Sequence, residues 1–195
     1  GRTGQSHDAG GYGNFEATIR DFGEATYVGT DVIFADHLQP FSHNYDLALT
    51  PHFISFEKER SFGRYNADFI WSNTPKLVSW LTRNMGRSVH SDQTPYDFAH
   101  EEFVVKELDM GYNMGWYRLS LEHNRPENVQ KRLAAIQSKE DGIYIGEEKI
   151  KFFHTHMIHE GEYGYCNWFN VYVMQRLREG LAPHQELARF IEAPC

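Results

Sequence analysis

The stretch that most constrains this chain is Tyr27-Val28-Gly29-Thr30-Asp31-Val32-Ile33-Phe34, an apolar run with one carboxylate set into it. β-Branched and aromatic residues fill a sheet buried on both faces, whereas Gly and Asp suit the exit from a strand. The run therefore reads as a buried strand leaving through a turn at Gly29-Thr30-Asp31. Ligands of open α/β sheets gather at that end. An Asp placed there can hold a divalent cation against a diphosphate, because hard cations take oxygen ligands. The same carboxylate can equally cap whatever follows the strand.

The rest of the chain alternates around this run. Residues 1–13 are Gly-rich and polar, which predicts a flexible segment, with 14–195 as a single domain. From Asn14, a plausible cap, Phe15, Ile19 and Phe22 recur at helical spacing until Gly23. After the central run, Asp46 to His52 reads as a second strand ended by Pro51, and 53–62 as a flap or short helix. Tyr65 to Trp71 reads as a third strand with Asn66 and Asp68 on one face.

Thr74-Pro75 opens a helix whose stripe is Leu77, Val78, Trp80 and Leu81, closed by Gly86. Asp92 caps another, with Pro95 in its first turn and Phe98, Phe103, Val104 and Leu108 following to Gly111. Met114 to Glu122 has strand character, and Pro126 to about Ser138 has a helical stripe of Val129, Leu133 and Ile136. Ile143 to Ile145 and Ile150 to Phe153 flank Gly146-Glu147-Glu148 as a hairpin that runs into His154-Thr155-His156. Helices over Tyr163 to Glu179 and Pro183 to Glu192 close the chain. This alternation predicts an α/β domain with a mixed sheet flanked by helices.

Composition removes several functions. A formal net charge of −8 over 195 residues argues against a partner bound through nucleic-acid phosphates, which needs a basic face. No apolar run approaches a membrane span and no charged-then-apolar leader opens the sequence, so no transmembrane segment and a cytoplasmic location are expected. Cys166 and Cys195 supply neither a disulfide framework nor a zinc knuckle.

The remaining chemistry sits in a few places. On an extended segment His154 and His156 point the same way and can share one metal, with His159 and Glu160 just beyond. Asp92-Gln93 pairs a carboxylate with an amide able to orient a sugar hydroxyl, and Asp92 reads equally as a plain N-cap. Asn66 and Asp68 can bind polar ligand groups or face solvent at an edge. Trp116 and Tyr117 can stack on a sugar ring or fill the core.

Taken in order, Tyr27 to Ile33, Leu47-Ala48-Leu49-Thr50-Pro51-His52, Tyr65 to Trp71, Asp92-Gln93, Gly111-Tyr112-Asn113-Met114 and Phe152-Phe153-His154 resemble the blocks of metal-dependent GT-A-type glycosyltransferases. The likeness is greatest to the retaining, glycogenin-like group and its bacterial relatives, over roughly residues 14–157. It implies a GT-A-like (Rossmann-like) fold and a hexose moved from a nucleotide-sugar donor to a carbohydrate or other hydroxyl acceptor, with Mn²⁺ or Mg²⁺. By the same resemblance Asp31 and His154 are the metal ligands, and Asp92 and Gln93 are the catalytic, sugar-side pair. Gly29, Thr30, Asn66 and Asp68 contact the donor, and Asn113 and Trp116 the acceptor.

The chain departs from the pattern where Gly29 replaces the first Asp of Asp-x-Asp and Asp68 replaces a glycine. The nucleotide-binding segment that precedes Asp-x-Asp in the family has only residues 1–28 to match it here, so a domain incomplete at its amino end is expected. Two other classes stay open: a noncatalytic carbohydrate-binding or scaffold domain, and a cupin-like metalloenzyme using His154 and His156, since His154-x-His156 with Glu160 resembles the first cupin metal motif.

Overall fold

A computed structural model describes residues 9–88, 94–115, 134–155, 164–180 and 185. They form a mixed α/β structure that divides into two compact units. The first contains the chain up to Gly29 with Pro40–Pro51 and Arg60–Leu108, and the second Thr30–Gln39, His52–Glu59 and the chain from Asp109 onward.

The first unit is built on four strands, β1 (Ala25–Val28), β3 (Leu47–Pro51), β4 (Tyr65–Ser72) and β5 (Val105–Glu107), in the order β1-β4-β3-β5. β4 is antiparallel to β1 and β3, while β5 lies parallel to β3. Helices α1 (Ala9–Phe22) and α3 (Lys76–Asn84) supply Phe15, Ile19, Leu77, Trp80 and Leu81 to a core with Leu47, Leu49, Tyr65 and Ile70. Here the i, i+3, i+4 spacing of apolar residues on α3 buries one stripe, as its sequence predicts.

Four expectations change in this unit. The strand before Gly29 is not buried on both faces. Among the described residues β1 pairs only with β4, and its residues are half-buried or exposed, because it lies at the edge of this sheet. The central places go to β3, buried throughout, and β4, nearly so. α1 is already helical at Ala9, and Phe22 at its last turn is left exposed while Gly23, at φ +84°, ends it. Residues 94–101 form a 3₁₀ helix, after which Phe103 still bonds back to Ala99 and the chain extends into β5. Val104 and Leu108 therefore lie on no helix, because pairing beside β3 overrides their local period.

The described residues of the second unit form two small sheets. In one, β10 (Phe152–His154) lies between β2 (Val32–Phe34), antiparallel, and β6 (Met114–Gly115), parallel. In the other, β7 (Ile136–Lys139), β8 (Gly142–Ile145) and β9 (Glu148–Lys149) make an antiparallel meander. Met114, Ile136, Ile143, Ile150 and Phe153 pack with Val173 and Leu177 of α4 (Gly164–Glu179). The expected helix to Ser138 is replaced by β7 over its last residues. Ile136 to Lys139 pair with β8 across the turn Glu140-Asp141, and Pro126 to Leu133 lie outside the described residues.

The hairpin at Gly146, φ +61°, joins β8 to β9 alone. Ile150 bonds to Ile143, but Lys151 donates to Gly111 and β10 then crosses to the other sheet. The short helix α2 (Phe56–Phe62) buries none of its side chains, as one of the two readings of 53–62 anticipates. The closing helix over Pro183 to Glu192 lies outside the described residues but for Gln185. Among the described residues no helix is long and apolar enough to cross a membrane.

At Gly111, three residues before β6, the chain passes close against Lys149 of β9. A Cβ there would stand 2.1 Å from the carbonyl oxygen of Lys149, a backbone atom that cannot swing aside. Gly111→Ala should therefore destabilise by about 1 to 3 kcal/mol, the usual range for overpacking. Urea unfolding of the two proteins measures the difference, and an unchanged midpoint would show that this approach is loose in solution.

Candidate metal centre

Antiparallel pairing of β2 with β10 sets His154 opposite Val32, so the turn that carries Asp31 stands beside the end of β10. Thr155 fixes that turn. Its backbone N–H and its hydroxyl both donate to the main-chain carbonyl of Asp31, at 2.9 and 2.8 Å. With the backbone held, Oδ2 of Asp31 lies 3.3 Å from Nε2 of His154. The His154 side chain is 2% exposed and that of Asp31 12%.

The other ring nitrogen has its own partner. Asn113, immediately before β6, takes the left-handed conformation at φ +58°, which Asn tolerates better than most residues. It is fully buried, and its Oδ1 lies 3.1 Å from Nδ1 of His154. The parallel register that sets Met114 opposite Phe153 brings Asn113 there. An amide oxygen can only accept, so this contact places a proton on Nδ1.

With the proton on Nδ1, the lone pair of Nε2 faces a carboxylate oxygen. Two electron-pair donors this close in a buried place need a cation between them, either a proton or a metal ion. Carboxylate and imidazole bonds to a metal run near 2.0 to 2.2 Å, so a shared ion requires the two atoms to lie within about 4.3 Å of each other. The separation of 3.3 Å meets that requirement. One oxygen and one nitrogen donor suit several divalent ions and select none by themselves.

The structure thus brings together Asp31 and His154, the two residues read as ligands, and adds Asn113, read as an acceptor contact, and Thr155. Thr155 was visible in sequence only as the spacer between two histidines. Its bonds depend on a β10 to β2 register that no local pattern reveals. Thr30 is exposed in the turn, and the Gly29 N–H donates to the Asp68 carbonyl at 2.8 Å within the first unit. Asn66 is buried, its Oδ1 accepting from the Asp68 N–H at 2.9 Å, so it lies in a central strand rather than at a solvated edge. Asp92, Gln93, Trp116, Tyr117, His156, His159 and Glu160 lie outside the described residues.

A polar cluster in the first unit had no sequence signal at all. The Tyr65 hydroxyl donates to Glu107 and lies 2.8 Å from Nε2 of His100, while Arg64 forks onto both Glu107 oxygens at 3.0 and 2.9 Å. Burial pushes the Glu107 carboxyl up, but the bonds from Tyr65 and Arg64 outweigh it and hold the group below its ordinary range. Burial and the adjacent Glu107 charge raise the Tyr65 phenol. Every member of this cluster has a partner within it, which describes a clasp between β4, β5 and the 3₁₀ helix. Compared with family models, curated proteins and solved structures, the chain matches none of them.

Proposed function

We propose that this chain is a GT-A-like glycosyltransferase domain that moves a hexose from a nucleotide-sugar donor to a carbohydrate or other hydroxyl acceptor, with Mn²⁺ or Mg²⁺ held by Asp31 and His154. The observation that supports this reading is the 3.3 Å approach of those two side chains, since they are the pair that the resemblance names as ligands. Asp31 offers the hard oxygen and His154 the nitrogen. Thr155 keeps the Asp31 turn in place without using its carboxylate. The ion, when bound, supplies Lewis-acid neutralisation of charge on the leaving diphosphate.

The sugar-side roles rest on the resemblance. Asp92 and Gln93 orient the hexose, and the Asp92 charge favours an oxocarbenium-like centre, as carboxylates do in glycoside chemistry. Gly29, Thr30, Asn66 and Asp68 serve the donor, and Trp116 the acceptor.

The test is release of nucleoside diphosphate from a panel of nucleotide hexoses, with Mn²⁺ and again with a chelator. Release from at least one donor, lost on chelation, is the expected result. Metal-independent sugar binding with no release from any donor would assign the chain to the noncatalytic alternative. Metal held tightly without any diphosphate would favour the cupin-like one.

A further inference from the structure

We infer that Asn113 is a positioning residue for His154, holding the imidazole with its proton on Nδ1 and its Nε2 lone pair turned to Asp31; this rests on the metal reading proposed above. Three observations carry it. The Asn113 oxygen lies 3.1 Å from Nδ1 while Asp31 lies 3.3 Å from Nε2, so the ring is fixed at both nitrogens. Asn113 is fully buried, where an acceptor oxygen left without a donor is costly, and its oxygen meets the imidazole. Its left-handed backbone at φ +58° sets it just before β6, where the parallel register with β10 leaves no freedom to slide.

A metal-ligating histidine needs its second nitrogen bonded to an acceptor, which fixes the tautomer and the ring plane. Loss of such a partner typically weakens metal binding by 10- to 100-fold. The resemblance would place Asn113 at the acceptor sugar. Full burial against His154 instead gives it a contact that an acceptor does not need.

The experiment is titration of the whole chain with Mn²⁺, following the electron paramagnetic resonance of the free ion, in the parent and in Asn113→Gly, Asn113→Asp and His154→Ala. Glycine keeps the left-handed backbone unstrained while removing the acceptor. Aspartate keeps an acceptor oxygen. Asn113→Gly should weaken Mn²⁺ binding by about 10- to 100-fold, Asn113→Asp should restore most of it, and His154→Ala should abolish it. Long-range ¹H–¹⁵N spectra of histidine-labelled protein loaded with diamagnetic Zn²⁺ give an independent readout. They should show the His154 proton on Nδ1 in the parent and no single tautomer in Asn113→Gly.

Two results would overturn the inference alone: His154→Ala abolishing binding while Asn113→Gly leaves it unchanged, or Asn113→Gly and Asn113→Asp losing it equally. A His154→Ala variant that binds Mn²⁺ like the parent would instead remove the metal reading, and this inference with it.

Discussion

Asp31→Asn is expected to lose Mn²⁺ affinity, and any metal-dependent diphosphate release, by a hundredfold or more, roughly 2.7 kcal/mol. The substitution is close to isosteric, and both Thr155 bonds go to the main-chain carbonyl of Asp31, so the turn should survive it. What disappears is the negative oxygen that faces His154 at 3.3 Å. If the two residues work as ligands of one ion, the Asp31→Asn, His154→Ala double variant should be little worse than the worse single, because the second loss removes a ligand from a site already empty.

The competing physical picture is a buried Asp–His pair bridged by a proton and serving only the fold. Breaking such a pair costs about 3 to 5 kcal/mol of stability. Asp31→Asn would then lower the melting temperature markedly while Mn²⁺ titration remained as in the parent. Calorimetric unfolding beside the metal titration separates the two, and that second pattern would remove Asp31 and His154 from the proposed metal site.

Trp80→Ala should be the most damaging change in the first unit. Trp80 is 1% exposed on α3, its ring centroid is 5.4 Å from that of Phe103 in an edge-to-face arrangement, and Tyr96 lies at 6.4 Å. Removing a buried indole costs about 3 to 5 kcal/mol through lost transfer energy and the cavity left behind. For a chain of this size that is a fall of roughly 6 to 20 °C in melting temperature. Trp80→Phe keeps a ring against Phe103 and should lose far less. Near-ultraviolet circular dichroism during heating follows the packing directly, and equal losses in the two variants would show that the indole itself, rather than the volume it fills, holds the site.

The sequence by itself determined the elements whose local chemistry and burial agree. Threonine and proline at 74–75 with an apolar stripe on one face make α3 legible, because a fixed φ and a 3.6-residue period point one way, although Pro75 stands at the N-cap, with no side-chain cap, rather than in the first turn. β3, β4 and the turn at Gly146 were readable for similar reasons. Asp31 and His154 were also legible as candidates, from their types and from where each ends an apolar run. Their proximity was implied only by the resemblance that makes both ligands of one ion. It depends on an antiparallel β2 to β10 register and a parallel β6 to β10 register, and such long-range pairing leaves no mark within a local window.

Only the tertiary structure decided the rest. It made β1 an edge and β4 a centre, although both sequences are apolar enough for either place. Ile136 went to a strand despite its helical spacing, because pairing with Ile145 buries it, whereas helix propensity differs among ordinary residues by less than about 0.7 kcal/mol. It also placed Asn113, which the resemblance assigns to the acceptor, in a buried contact with the imidazole of His154. Side-chain type and spacing report what a residue can do. Which partner it meets is set by strand register, and register is a property of the whole fold.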